Sequence, residues 1–138
     1  MAFVDANVFI LAALDVAERH PPAVRRRKEA ARAILRRIQA GESAQTSVVH
    51  LSEVANVLEA TTGDETPSGF LRAVFGMSSL EVLRVDRAAY EAAAIRAEHE
   101  HLDVNDALAL VLMAQEGVGD IYSFDAGLDG KGATILRA

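Results

Sequence analysis

The sequence predicts an α/β domain: a short parallel central sheet flanked by helices on both faces, in three α/β/α layers. Three observations carry this. Strand-like segments alternate with helical ones along the chain. The strand-like segments are short and mostly apolar, as expected of strands covered on both faces. The chain has 138 residues, 51% of them hydrophobic, which suits one core and one domain over residues 1–138.

Each element follows from a local signal. Ala2-Phe3-Val4 is an apolar run that stops at Asp5, a buried strand followed by a helix from about Ala6 to Leu14. Pro22 suits the first turn of a second helix, which runs to Ala40 and stops at Gly41. Ala44 to Thr46 is a short strand. Ser47 then caps a helix whose apolar residues Val48, Leu51, Val54, Ala55 and Leu58 recur at spacings of three and four. Thr66 to Ser78 reads as helix, and Leu80 to Val85 alternates as a strand. Asp86 caps a helix through Glu100. Asp103 or Asn105 opens an apolar helix that ends at Gly117. Ile121 to Phe124 and Thr134 to Leu136 complete the strands. Pro21-Pro22 and Thr61 to Gly69 are short loop signals, and no repeat or linker interrupts the pattern.

Composition excludes several classes. The longest apolar run, Ala107 to Ala114, has eight residues, against about 20 needed to span a bilayer. There is no Cys, hence no disulfide scaffold and no thiolate metal site. The N-terminus lacks a basic segment, so no secretory signal is expected and a cytoplasmic location is the default. Net charge is −6, from 20 acidic and 14 basic residues, which discourages nucleic acid globally. Against this, Arg25, Arg26, Arg27 and Lys28 are consecutive, with Arg32, Arg36 and Arg37 following. That helix reads equally as an RNA-backbone contact or as a solvated face with Glu29 pairing to Arg25 or Arg32.

In parallel sheets ligands gather outside the carboxyl ends of the strands. Asp5 directly follows the first strand, and Asp125 the strand 121–124. Glu53 lies in the Ser47 helix, whose N-terminus faces the same edge. Asp106 lies in the first turn of the helix 104–116, with Asp103 three positions earlier. Each acid has a plainer role. Asp5 can cap a helix, Asp103 and Asp106 can serve a cap and a helix dipole, Asp125 can make a turn with Gly127, and Glu53 can sit on a solvated face. Their convergence on one edge is what points to a site. Clustered carboxylates raise one another's pKa unless a cation is present. Oxygen ligands without Cys suit Mg²⁺ or Mn²⁺ rather than zinc. His99 and His101 are two apart and share no helix face, while His50 precedes Glu53 by three positions and either lines the cleft or packs inside.

These residues fall into four motifs that resemble the PIN domain and, within it, the VapC-type toxin ribonucleases. Phe3-Val4-Asp5-Ala6-Asn7 is similar to the family's first motif and Ser52-Glu53-Val54 to its second. Asn105-Asp106-Ala107-Leu108 is similar to the third and Ser123-Phe124-Asp125 to the fourth. Asp103 and Asp129 are additional acids, and Leu128 stands where the family often has Phe. The resemblance implies a Mg²⁺- or Mn²⁺-dependent endoribonuclease with an RNA substrate, a cognate antitoxin, a homodimer and no membrane association. It implies Asp5 and Asp106 as metal ligands, Asp125 as a ligand or its support, and Glu53 as the group that orients or deprotonates water. Asn7 and Ser123 would hold a carboxylate or phosphate, and Asp103 would join the site or only cap the helix. For the dimer, residues 8–14 and 66–78 offer candidate surfaces, with Phe70, Leu71, Val74 and Phe75 reading equally as core. Three other functions stay open: an RNA-processing nuclease outside a toxin–antitoxin pair, a non-catalytic binding module, and a phosphatase or receiver. The last would want Asp at position 7, which is Asn, and a late Lys, for which Lys131 is the candidate.

Overall fold

The computed structural model describes residues 1–14, 21–61 and 66–136. Its five strands are β1 (Ala2–Val4), β2 (Ala44–Ser47), β3 (Leu80–Leu83), β4 (Asp120–Tyr122) and β5 (Thr134–Leu136). They form one sheet in the order β3-β2-β1-β4-β5, with every pairing parallel. The helices are α1 (Ala6–Ala13), α2 (Pro22–Gln39), α3 (Val48–Thr61), α4 (Pro67–Phe75), α5 (Arg87–Glu100) and α6 (Val104–Glu116). The expected loop from Thr61 to Gly69 falls partly on residues 62–65, outside the described residues.

The alternation along β1 sorts the helices into two layers. Ala2 and Val4 point into one core with Val8, Phe9, Ile34, Leu51, Val54 and Val74, from α1 to α4. Phe3 points into the other with Ala93, Leu108, Met113 and Ile121, from α5, α6 and β4. A strand's side chains alternate between faces, so one three-residue strand serves both cores. Chain direction explains the segregation. From β1 to β3 the sheet grows one way, and from β4 to β5 it grows the other, and crossovers between parallel strands are right-handed as a rule. Reversing direction at constant hand moves the helices to the opposite face. The reversal lies between β1 and β4, where a crevice opens at the carboxyl edge. Each large side chain buried here stabilises the fold by about 1.5–3 kcal/mol.

The helix ends follow the predicted signals. Asp86 accepts from the Ala89 amide at 2.8 Å, and Ser47 from the His50 amide at 3.2 Å. Asp103 opens α6, and Gly117 ends it with φ 68°, a left-handed conformation that glycine adopts without strain. His101 takes the equivalent left-handed position after α5, a backbone role for a residue considered as a metal ligand.

The structure sorts the residues offered as dimer surfaces. Val8, Phe9 and Ala12 are core residues, so most of the apolar surface of 8–14 is used inside the domain. In α4, Val74 is buried, Phe70 and Leu71 pack partly against the same core, and Phe75 is exposed. The basic helix is also not uniformly solvated. Lys28 is buried, and its Nζ donates to the carbonyls of Leu11 at 3.4 Å, Ala12 at 3.1 Å and Leu14. These are the orphan carbonyls at the end of α1, where a cation is favoured by the helix dipole. Replacing Lys28 with Met keeps the apolar stem and removes the donor. The variant should lose about 2 kcal/mol, the scale of a charged hydrogen-bond set, read as a lower urea midpoint. An unchanged midpoint would refute the capping role.

Candidate active site

The crevice between β1 and β4 is closed at its floor by hydrogen bonds to side chains. The Asp5 amide donates to the Tyr122 carbonyl at 3.0 Å, extending the ladder by one residue. The Asp5 carboxylate then turns into the crevice. One oxygen accepts from the Ala6 amide at 2.7 Å and the other from Ser123 Oγ at 2.7 Å. Ser123 Oγ in turn accepts from the Asp125 amide at 3.0 Å and from Asn7 Nδ2 at 3.3 Å. Asn7 Oδ1 accepts from the Phe124 amide at 3.3 Å. The β4 strand therefore ends at Tyr122, not Phe124 as expected, because side chains take over the ladder's partners. Asp125 stands three residues past the strand end and opens a 3₁₀ turn (Ala126–Leu128), accepting from the Gly127 amide at 2.9 Å. A Cβ at Gly127 would lie 3.1 Å from the Asp125 carboxylate, which favours glycine there.

A second set of acids comes from α3 and α6. The Asp103 carboxylate accepts from the amides of Asn105 at 2.8 Å and Asp106 at 3.4 Å, the geometry of a helix cap. Asp106 occupies the first turn, where the helix dipole favours an anion. Glu53 accepts from Asn105 Nδ2 at 2.7 Å, so α3 and α6 are tied at this edge. Beside that bond His50 is fully buried. Its Nε2 lies 3.0 Å from the Asn105 carbonyl, its Nδ1 2.6 Å from Ser47 Oγ, and its ring meets Phe3 edge-on at 5.0 Å. Burial pushes the His50 pKa down despite the Asn105 carbonyl and the charges of Glu53 and Asp103.

The carboxylates act on one another. Burial raises the Asp5 pKa against the Ser123 and Ala6 hydrogen bonds, and the charges of Asp125 and Asp103 raise it further. Asp106 is pushed up to about 7 by burial, by the charge of Asp5, by a hydrogen bond with Asp125 and its charge, and by Asp103. Burial and like charges both disfavour the ionised form of Asp106. Asp5, Asp103, Asp106 and Asp125 thus form one electrostatic cluster. Glu53 stands beside it, joined through Asn105. Among the described residues, no three His, Asp or Glu side chains converge closely enough to hold one ion. Lone pairs of the cluster are instead engaged by the amides of Ala6, Gly127, Asn105 and Asp106 and by the Ser123 hydroxyl.

A cavity of about 410 Å³ adjoins the crevice at Ser123, walled by Ile34, Phe124, Ile135 and Leu136, with Arg27 and Asp129 at its polar rim. Arg27, from the basic helix, and Ser123, which holds Asp5, line the same cavity. Arg37 lies elsewhere, 3.0 Å from the Tyr122 hydroxyl and 3.5 Å from Glu42, in a structural network. The sequence left His50 open between lining the cleft and packing inside, and offered Ser47 only as a cap and Asn105 only as part of a motif; the structure joins all three beside the site. The signal for the first lay in its spacing of three before Glu53, and for Asn105 in its place beside Asp106.

A family model for the PIN domain matches residues 2–132. No curated protein matches the sequence. The fold is similar to that of VapC20 from Mycobacterium tuberculosis, a toxin that cleaves the sarcin–ricin loop, with TM-score 0.76, 19% identity and both chains fully covered. It is also similar to VapBC2 from Rickettsia felis, solved with a promoter DNA fragment, at TM-score 0.64 and 14% identity over 99% of this chain and 98% of that one. FitAcB from Neisseria gonorrhoeae gives TM-score 0.63 and 14% identity over 99% and 97%. With the family model spanning almost every residue and the acids gathered at the crevice that the parallel sheet opens, this chain belongs to the PIN-domain family.

Proposed function

We propose that this protein is an endoribonuclease dependent on Mg²⁺ or Mn²⁺, and the toxin of a toxin–antitoxin pair. The observation that carries the reading is the gathering of Asp5, Asp103, Asp106 and Asp125 at one crevice, where burial and the neighbouring charges push Asp106 up to about 7. A site that keeps a proton near neutrality, among oxygen donors only, is one where a hard divalent cation would replace that proton. Asp5 and Asp106 would hold the ion together with waters, with Asp125 supporting them and Asp103 adding charge from the helix cap. Such an ion polarises a phosphate and lowers the pKa of bound water.

The chain's own groups supply the rest. Glu53, fixed by Asn105, orients the attacking water and takes its proton. Ser123 and Asn7 keep the Asp5 carboxylate aimed into the crevice. Arg27, at the rim of the cavity beside Ser123, contacts a phosphate of the RNA backbone. Aromatic residues are few, so the RNA is read mainly by shape and backbone. Solved relatives in complex with antitoxins favour the same kind of partner here. An antitoxin Arg or Lys set against Asp5, Asp106 or Asp125 would supply the missing positive charge. A homodimer is part of the reading, and exposed Val48, Tyr90, Ile95 and Phe75 are available to it. Among the described residues no helix is long and apolar enough to cross a membrane, and the proposed place of action is the cytoplasm. The phosphotransfer alternative loses ground because Asn7 is committed to Ser123 and Phe124.

Three outcomes test this. RNA cleavage should require Mg²⁺ or Mn²⁺ and fall to background in Asp5→Asn and Asp106→Asn, with both variants folded; full cleavage in excess chelator refutes the mechanism. Arg27→Ala should weaken RNA binding and reduce the slope of log K against log salt by about 0.7; an unchanged slope places the RNA elsewhere. The third outcome concerns pH. From the ordinary value of 3.8 up to about 7, folded Asp106 holds a proton that the unfolded chain has released. Native protein then binds more protons than unfolded protein, so stability falls as pH rises through that window. In chelator, Tm should therefore decline with pH across it, and Asp106→Asn should flatten the decline. An equal slope in both proteins would contradict the assignment.

A further inference from the structure

We propose that His50 is a positioning residue for the site, setting Asp106 through the Asn105 peptide and Glu53 through the Asn105 side chain. The inference rests on the nuclease reading for its consequence in activity. Its basis is geometric. A carbonyl can only accept, so the 3.0 Å contact with the Asn105 oxygen requires the hydrogen on Nε2. Nδ1 then accepts from the Ser47 hydroxyl at 2.6 Å, and the same Oγ accepts the His50 amide. The ring is locked at both nitrogens, and Phe3 holds its face edge-on. It bridges the end of β2, the first turn of α3 and the first turn of α6.

The carbonyl that His50 engages belongs to the peptide joining Asn105 to Asp106. Fixing that peptide fixes the backbone from which the Asp106 carboxyl projects. The Asn105 side chain, on the same residue, donates to Glu53 at 2.7 Å. Glu53 lies one helical turn after His50, so α3 grips α6 at two points and the grip passes through both acids. Residues that orient ligating groups typically change activity or metal affinity by about 10–100-fold when removed. His50 itself touches none of the four cluster carboxylates through a hydrogen bond, so its effect is on their placement.

The experiment compares His50→Leu, which keeps an apolar volume against Phe3, with His50→Gln, whose amide can still donate to the Asn105 carbonyl. Kinetics of RNA cleavage and Mn²⁺ affinity, read by electron paramagnetic resonance of the metal alone, are measured for both. Nitrogen-15 NMR of the wild-type protein reads the tautomer. The leucine variant should lower kcat by about tenfold or more and weaken Mn²⁺ binding similarly, with KM for RNA unchanged. The glutamine variant should recover most of both, and the wild-type ring should be protonated on Nε2. Wild-type kcat and Mn²⁺ affinity in His50→Leu, equal losses in two folded variants, or an Nδ1–H tautomer would each overturn the proposal. If His50→Leu fails to fold, the tautomer and His50→Gln decide it: a folded glutamine variant with lost activity overturns it. Wild type and Asp5→Asn run alongside. Absence of cleavage by the wild type removes the nuclease reading, and the Mn²⁺ affinities and tautomer then still judge His50.

Discussion

The rest of the site depends on one constraint: several like charges are held at one crevice of a small domain. Asp5 is buried, and Asp106 is partly so. Burial and mutual repulsion both disfavour the ionised forms. A fold that places carboxylates there must offset that cost with fixed donors. The backbone amide of Ala6, the hydroxyl of Ser123 and the amide of Gly127 are those donors. Where donors fall short, the Asp106 pKa is pushed up to about 7.

The neutral residues around the cluster follow from the same constraint. Ser123 accepts two amide hydrogens and donates its own to Asp5, which joins β1, α1 and the segment after β4 at one oxygen. Asn7 bridges the same elements. On the other side Asn105, His50 and Ser47 do the equivalent for α3 and α6. None of these groups adds negative charge. They hold acids from four distant segments in register without adding to the negative charge of the crevice.

The positive charges are divided by role in a way that a count of basic residues hides. Lys28 turns inward to end α1, Arg37 braces Tyr122 and Glu42, and Arg96 donates to the Lys131 carbonyl beside β5. Arg27 lines the cavity that Ser123 also lines. An acidic protein can thus present positive charge locally, next to the site where a polyanion would be cut.

Local signals in the sequence determined most of the fold. Asp86, Asp103 and Ser47 cap the helices they were expected to cap, Gly117 ends α6, and the short apolar runs became five parallel strands. These are decided by near neighbours and by hydrophobic period, which a sequence displays directly. The acids Asp5, Glu53, Asp106 and Asp125 were legible because parallel topology sends every strand's end to one edge. Tertiary structure alone decided the rest. That β4 stops at Tyr122 depends on Asn7, 117 residues from Phe124. That His50 is a buried bridge depends on Asn105, 55 residues away. That Lys28 is a cap rather than a surface charge depends on where α1 ends against α2. Each is a hydrogen bond between segments far apart in the chain. No local propensity or spacing encodes such a bond, because its partner exists only after the layers have packed.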